Sequence, residues 1–246
     1  MVASRTVAVR PRPLARRLLR GPGVRRLVLV ALAAAAGLAF AQAARPAADD
    51  SCIVLENFAK SKVGAFPEGW RVRSDEGKAV YTVREEDGKR FLRAVSSGLG
   101  VQAARETPDW NLETHPILAW SWRARQFPKG SDERASATND SALAVYMAVP
   151  YSKIRGPKAM KYIWSEKVPI GTHLTSNSGL TQVRVVQSGT EPKGWVEERV
   201  NVLADWKAAF KESDTPKTAG IVVLTDADDT KSTASGDYAD FRACKN

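Results

Sequence analysis

From Pro116 to Arg125 the chain alternates without a break. Leu118, Trp120, Trp122 and Ala124 fall on one side, and Ala119, Ser121, Arg123 and Arg125 on the other. A period of two means extended backbone, because successive side chains of a strand leave on opposite faces. Two indoles on one side make this a half-buried strand with an aromatic inner face. Asp140–Pro150 is stricter still: Leu143, Val145, Met147 and Val149 oppose Ala142, Ala144, Tyr146 and Ala148, with no polar side on offer. Such a segment reads as a central strand covered on both sides. Further strands are expected at Cys52–Phe58, Ala159–Ser165, Leu180–Gln187, Trp195–Val202, Ala219–Thr225 and Asp237–Cys244. Ala79–Glu85 and Arg90–Ser96 flank Glu86-Asp87-Gly88-Lys89, the composition of a hairpin turn. One short helix is expected at Leu203–Lys211, where Leu203, Trp206 and Phe210 share a face. Pro, Gly, Ser and Lys place loops at 127–139, 151–158 and 166–179. About ten short strands and one short helix predict an all-β, jelly-roll-like β-sandwich.

Charge sorts the chain into two parts. The net charge of +10 looks like a nucleic-acid footprint, yet eight arginines lie between Arg5 and Arg26, and residues 1–41 contain no acid. The remainder carries 29 Lys and Arg against 27 Asp and Glu, a difference of two. The folded body therefore has no basic excess that would point to nucleic acid. Leu27 to Ala41 is an uncharged run of 15 residues, short of the roughly 20 that a spanning helix needs. A basic stretch, an apolar run and small residues at Ala39-Phe40-Ala41 and Ala41-Gln42-Ala43 read as a cleaved secretory signal. We therefore expect a signal peptide over 1–43, a single sandwich domain over 44–246, and a periplasmic or secreted product with no stable membrane anchor.

Export gives the two cysteines a meaning. Cys52 opens the domain and Cys244 lies near its end. In an oxidising compartment they are expected to pair if the first and last strands are neighbours, the alternative being two buried thiols.

The absences narrow the chemistry. Neither histidine, His115 or His173, sits in an H-E-x-x-H spacing, no G-x-S-x-G elbow occurs, and no phosphate-cradling glycine loop appears. One dense polar stretch stands out, Thr225-Asp226-Ala227-Asp228-Asp229-Thr230, running on to Asp237. Read as an EF-hand it fails, with Lys231 at the glycine position and Asp237 in place of Glu. A looser Ca²⁺ site from Asp226, Asp228, Asp229 and Asp237 is one reading; a solvated loop whose side chains cap local backbone is the other. No other cofactor is expected. A second candidate is a sheet face carrying Arg123, Arg125, Tyr146, Tyr162 and Trp164. Rings could stack on sugar faces there and guanidiniums could fork onto hydroxyls or carboxylates; the alternative is that the rings are simply buried and the arginines form surface salt bridges.

Several motifs point the same way: Phe66-Pro67-Glu68-Gly69-Trp70, Leu118-Ala119-Trp120-Ser121-Trp122-Arg123, Asn139-Asp140-Ser141-Ala142, Lys161-Tyr162-Ile163-Trp164-Ser165, Gly194-Trp195 with Asp205-Trp206, and the stretch Thr225 to Phe241. Together they resemble the bacterial family of domain of unknown function 3047. The resemblance implies a secreted or periplasmic single domain with a sandwich fold similar to carbohydrate-binding modules. The expected function is a non-enzymatic protein binding a glycan or related cell-envelope component. Two alternatives stand beside it: a polysaccharide-acting enzyme using Asp140, Asp226 and Asp228, and a structural or partner-binding envelope protein.

Overall fold

A computed structural model describes residues 51–245. The expected signal peptide and the first residues of the 44–246 domain lie outside the described residues. In chain order the strands are β1 (Cys52–Glu56), β2 (Trp70–Arg71), β3 (Tyr81–Glu86), β4 (Lys89–Ser97), β5 (Gly100–Glu106), β6 (Ile117–Gln126) and β7 (Leu143–Ser152). They continue with β8 (Gly156–Ser165), β9 (His173–Ser176), β10 (Thr181–Ser188), β11 (Val196–Asn201), β12 (Gly220–Asp226) and β13 (Thr233–Cys244). Two α-helices accompany them, α1 (Asp75–Lys78) and α2 (Val202–Phe210).

The strands form two layers. A six-stranded sheet runs β11-β6-β13-β4-β3, with β1 also on β13; a seven-stranded sheet runs β2-β5-β12-β7-β8-β10-β9. Neighbours are antiparallel throughout, except that β8 and β10 are parallel. The result is a jelly-roll-like β-sandwich. Three strands go beyond the sequence expectation. β2 has two residues, β9 lies inside the expected 166–179 loop, and β5 reads Gly-Val-Gln-Ala-Ala-Arg-Glu, too polar to announce itself. The expected 151–158 loop shrinks to a tight hairpin between β7 and β8.

The alternation seen in β6 becomes the core. Leu118, Trp120 and Trp122 point between the layers and meet Tyr162 and Trp164 of β8, with ring centroids 5.7 Å (Trp120–Tyr162) and 5.9 Å (Trp122–Trp164) apart. Large buried rings dominate area burial in such interiors, and tilted contacts at this spacing suit their quadrupoles. The β3–β4 turn uses Asp87 (φ 51°) and Gly88 (φ 74°), the two positive values that a two-residue turn matching strand twist requires. α2 closes one edge of the sandwich. The Asn201 side chain accepts a hydrogen bond from the Ala204 N–H (2.9 Å) as its N-cap, and the Trp206 and Phe210 rings pack in a tilted contact with centroids 4.2 Å apart.

β1 lies directly against β13, with Cys52 opposite Cys244, and the two form a disulfide. Closing a loop that spans 192 residues removes freedom from the unfolded chain worth about 5 kcal/mol in the chain-entropy model.

Candidate functional site

The groove expected from strand parity is not assembled. Tyr162 and Trp164 are fully buried in the interlayer core, where the Tyr162 hydroxyl donates to Asp205 (3.0 Å) and the Trp164 indole N–H to the Gly189 carbonyl (2.8 Å). Parity correctly put the two rings on one face, but pairing with β7 sets Val145 opposite Tyr162 and Leu143 opposite Trp164, so that face is the inner one. Arg123 and Arg125 stand on the outer face of the other sheet. There they converge with Arg93 on the Asp237 carboxylate, at 2.6 to 2.8 Å for the closest contact of each. Arg123 also lies over the rings of Phe91 and Trp195. Tyr146 alone of the five remains on the outer face of the seven-stranded sheet.

The metal expectation is likewise redrawn. Asp237 cannot join a cation site near residues 226–229, because three guanidiniums occupy it. Burial works against its ionised form, yet the hydrogen bonds from Arg93, Arg125 and Arg123 outweigh that and hold the carboxyl below the usual carboxylate range. The carboxylates that do gather within 4.8 Å of one another are Asp140, Asp228 and Asp229. Asp140 is fully buried and occupied. It accepts from the Asp229 N–H (3.1 Å), the Thr230 N–H (2.8 Å) and the Thr230 hydroxyl (2.5 Å), which folds the loop over it. Three carboxylates, one of them committed to backbone, supply only part of the six to eight oxygens a calcium ion takes.

Asp226 turns another way. β12 delivers it to the sheet end, where Gly100 allows a close approach: a Cβ there would lie 2.5 Å from Asp226 Oδ1 and 3.1 Å from Asp228 Oδ1. Burial, followed by a hydrogen bond shared with Asp228, pushes the Asp226 carboxyl up to about 7. These two line a hollow of about 260 Å³, with Arg73, Ser74 and Gln102 on its other walls.

The outer face of the seven-stranded sheet links this hollow to a second one. In register across it run Ala104, Val222, Tyr146, Lys161 and Val183, and beside them Gln102, Leu224, Ala144, Ile163 and Val185. Four strand spacings separate β5 from β10, about 19 Å. The second hollow, about 380 Å³, is walled by Ser136, Asn139, Thr175, Ser176 and Asn177, with Lys161 and the apolar Ile163, Leu174 and Val183 also lining it. Glu133 roofs its inner end, accepting from Ser165 (2.5 Å) and Ser141 (3.2 Å), and burial raises its pKa.

Lys161 is the residue that strand reading missed. It is 6% exposed and makes no ion pair among the described residues. Its ammonium lies 5.6 Å from the centre of the Tyr146 ring. Burial pulls its pKa down, but Tyr146, Asp226 and Glu133 together raise it, so the group is charged at neutral pH. A lysine between Met160 and Tyr162, in a strand otherwise apolar from Ala159 to Trp164, was the available signal.

No described helix is long and apolar enough to cross a membrane. Among solved structures the chain is similar to the family 11 carbohydrate-binding module of a cellulosomal cellulase of Clostridium thermocellum, with 8% identity. That match covers 79% of this chain and 95% of the module, at a TM-score of 0.41. It is also similar to a family 28 module described as specific for non-crystalline cellulose, with 11% identity, 78% and 98% coverage and a TM-score of 0.39. A thermostable cellulase derived from a Rhodothermus marinus enzyme follows, with 13% identity, 70% and 94% coverage and a TM-score of 0.37. Among curated proteins none matches the chain. The model of one family, described as a protein of unknown function (DUF3047), matches residues 68–242, and the chain belongs to that family.

Proposed function

We propose that the protein is an exported, non-enzymatic β-sandwich that binds a glycan or related cell-envelope component on the outer face of its seven-stranded sheet. The observation that carries this reading is the wall of the larger hollow. Ser136, Asn139, Thr175, Ser176 and Asn177 offer neutral hydroxyl and amide groups beside an apolar patch of Ile163, Leu174 and Val183, and the polar groups can exchange hydrogen bonds with a polyhydroxylated ligand. Tyr162 and Trp164, two of the three rings expected to stack on it, fill the core instead. Export is supported by the disulfide, since such bonds persist in oxidising compartments.

A glycan array tests the reading: retention of oligosaccharides is expected, and an array on which nothing binds removes it. One observation favours the enzymatic alternative, namely the Asp226 carboxyl near 7, poised for proton transfer. Product analysis after prolonged incubation with a retained glycan separates the two. A binder leaves chain length unchanged, whereas shortened products that disappear in Asp226→Asn would establish catalysis.

A further inference from the structure

A charged group that folding removes from water is ordinarily paired, because stripping its hydration is costly unless an opposite charge or several hydrogen bonds replace it. The molecule obeys this rule at Asp237, at Glu56 (with Arg105 and the Trp70 indole) and at Asp205 (with Arg184 and Tyr162). Lys161 departs from it. The residue is 6% exposed and lines an open hollow, its ammonium lies beside Tyr146, and no carboxylate stands within ion-pair distance among the described residues. Of the acids that feel its charge, Glu133 accepts from two serine hydroxyls and Asp226 lies beside Gly100 and Asp228 at the sheet end, and neither makes an ion pair with Lys161. What is left is one cation without a carboxylate partner, lining a cavity whose other walls combine hydroxyls and amides with an apolar patch of Ile163, Leu174 and Val183.

We infer that this hollow takes an acidic sugar, with the anionic group on Lys161 and the ring hydroxyls on Ser136, Asn139, Ser176 and Asn177. This rests on the glycan reading above and specifies its ligand class. The anion carries a single charge. One ammonium balances the single charge of a uronate carboxylate or a sulfate ester, whereas a dianionic phosphate would leave an uncompensated negative charge. Arg134, the other cation at the rim, is engaged by Asp132 (2.6 Å) and adds little.

The test measures binding of oligogalacturonate, its methyl ester, a sulfated oligosaccharide of similar length and neutral cello-oligosaccharides. It compares the wild type with Lys161→Met and Ser136→Glu. The first variant removes the charge at nearly constant volume; the second puts a carboxylate into the hollow from an exposed position and leaves the core untouched. Binding of the free carboxylate or the sulfate, weakened about tenfold or more in both variants, supports the inference, and preference between those two ligands identifies the anion. Lys161→Met is expected to melt no lower than the wild type, since it removes a buried charge without a fixed partner. If it does not fold, Ser136→Glu decides alone. Acidic-glycan binding unchanged in the folded variants, or binding of neutral glycans only, overturns the inference while the glycan reading stands. Retention of none of these ligands overturns both.

Discussion

The two outer faces of the sandwich treat a buried charge in opposite ways. On the six-stranded sheet the fully enclosed Asp237 carboxylate is met by Arg93, Arg123 and Arg125, and Arg123 reaches on to Glu86. Every oxygen is satisfied, and the aromatic pair Phe91 and Trp195 is packed beneath the guanidiniums. The same sheet carries the disulfide between its first and last strands. On the seven-stranded sheet the nearly enclosed Lys161 lines an open hollow and has no carboxylate partner. The contrast teaches that burial of a charge is not by itself a mark of function. Where the protein supplies the partners, the charge stabilises the fold; where it leaves them out, the partner is expected from outside.

If the six-stranded sheet is the closed layer, breaking it should cost stability and leave ligand binding on the other sheet intact. The largest effect is expected from replacing both Cys52 and Cys244 with serine. Urea denaturation should show a loss of about 5 kcal/mol, with ligand affinity of the folded fraction unchanged. A loss below about 1 kcal/mol would show that the termini are held by the β1–β13 pairing alone.

Next comes Asp237→Asn, which strands three guanidiniums without their shared carboxylate. The expected cost is about 3 kcal/mol, at the lower end for breaking a buried pair because the arginines keep some water. The same measurement on Lys161→Met should show no cost, and equal losses would erase the distinction between the two faces.

A smaller effect separates the faces by pH. The folded Asp226 carboxyl near 7 lies above its unfolded value near 4. Its contribution is therefore fully present below about pH 4 and is lost as pH rises through 7. Between pH 5 and 8 the wild type should lose about 2 kcal/mol that Asp226→Asn does not lose. Asp237, whose carboxyl is lowered, acts with the opposite sign: its contribution holds above the usual carboxylate range and disappears as pH falls below it. Melting temperature against pH for the wild type and Asp226→Asn reads this directly. Parallel curves between pH 5 and 8 would mean that Asp226 is ionised throughout.

Much of the fold was legible because alternation is a local property. β6 and β7 announced themselves through unbroken period-two patterns, the β3–β4 hairpin through Asp87-Gly88, and α2 through the spacing of Leu203, Trp206 and Phe210. β5 and β9 were not legible. Their residues gain an extended conformation from neighbours, β12 for the first and β10 for the second, rather than from any pattern of their own. The candidate site was harder. Tyr162 and Trp164 were correctly read as sharing a face, but one strand with large residues on both sides does not reveal which side is interior. Asp237 looked like one more acid in a polar run until β13 placed it between Arg93 on β4 and Arg123 on β6, residues far away in the chain.

The sequence by itself determined that this chain forms extended, layered structure with an aromatic interior, and that its two cysteines would meet if the terminal strands became neighbours. Those properties follow from side-chain periodicity and composition, which each segment carries alone. Only the tertiary structure decided which face of each strand meets water and which charges find partners. Pairing register is a relation between segments, and a shift of one residue exchanges inside for outside. That is how Lys161, rather than the rings beside it, came to face the hollow.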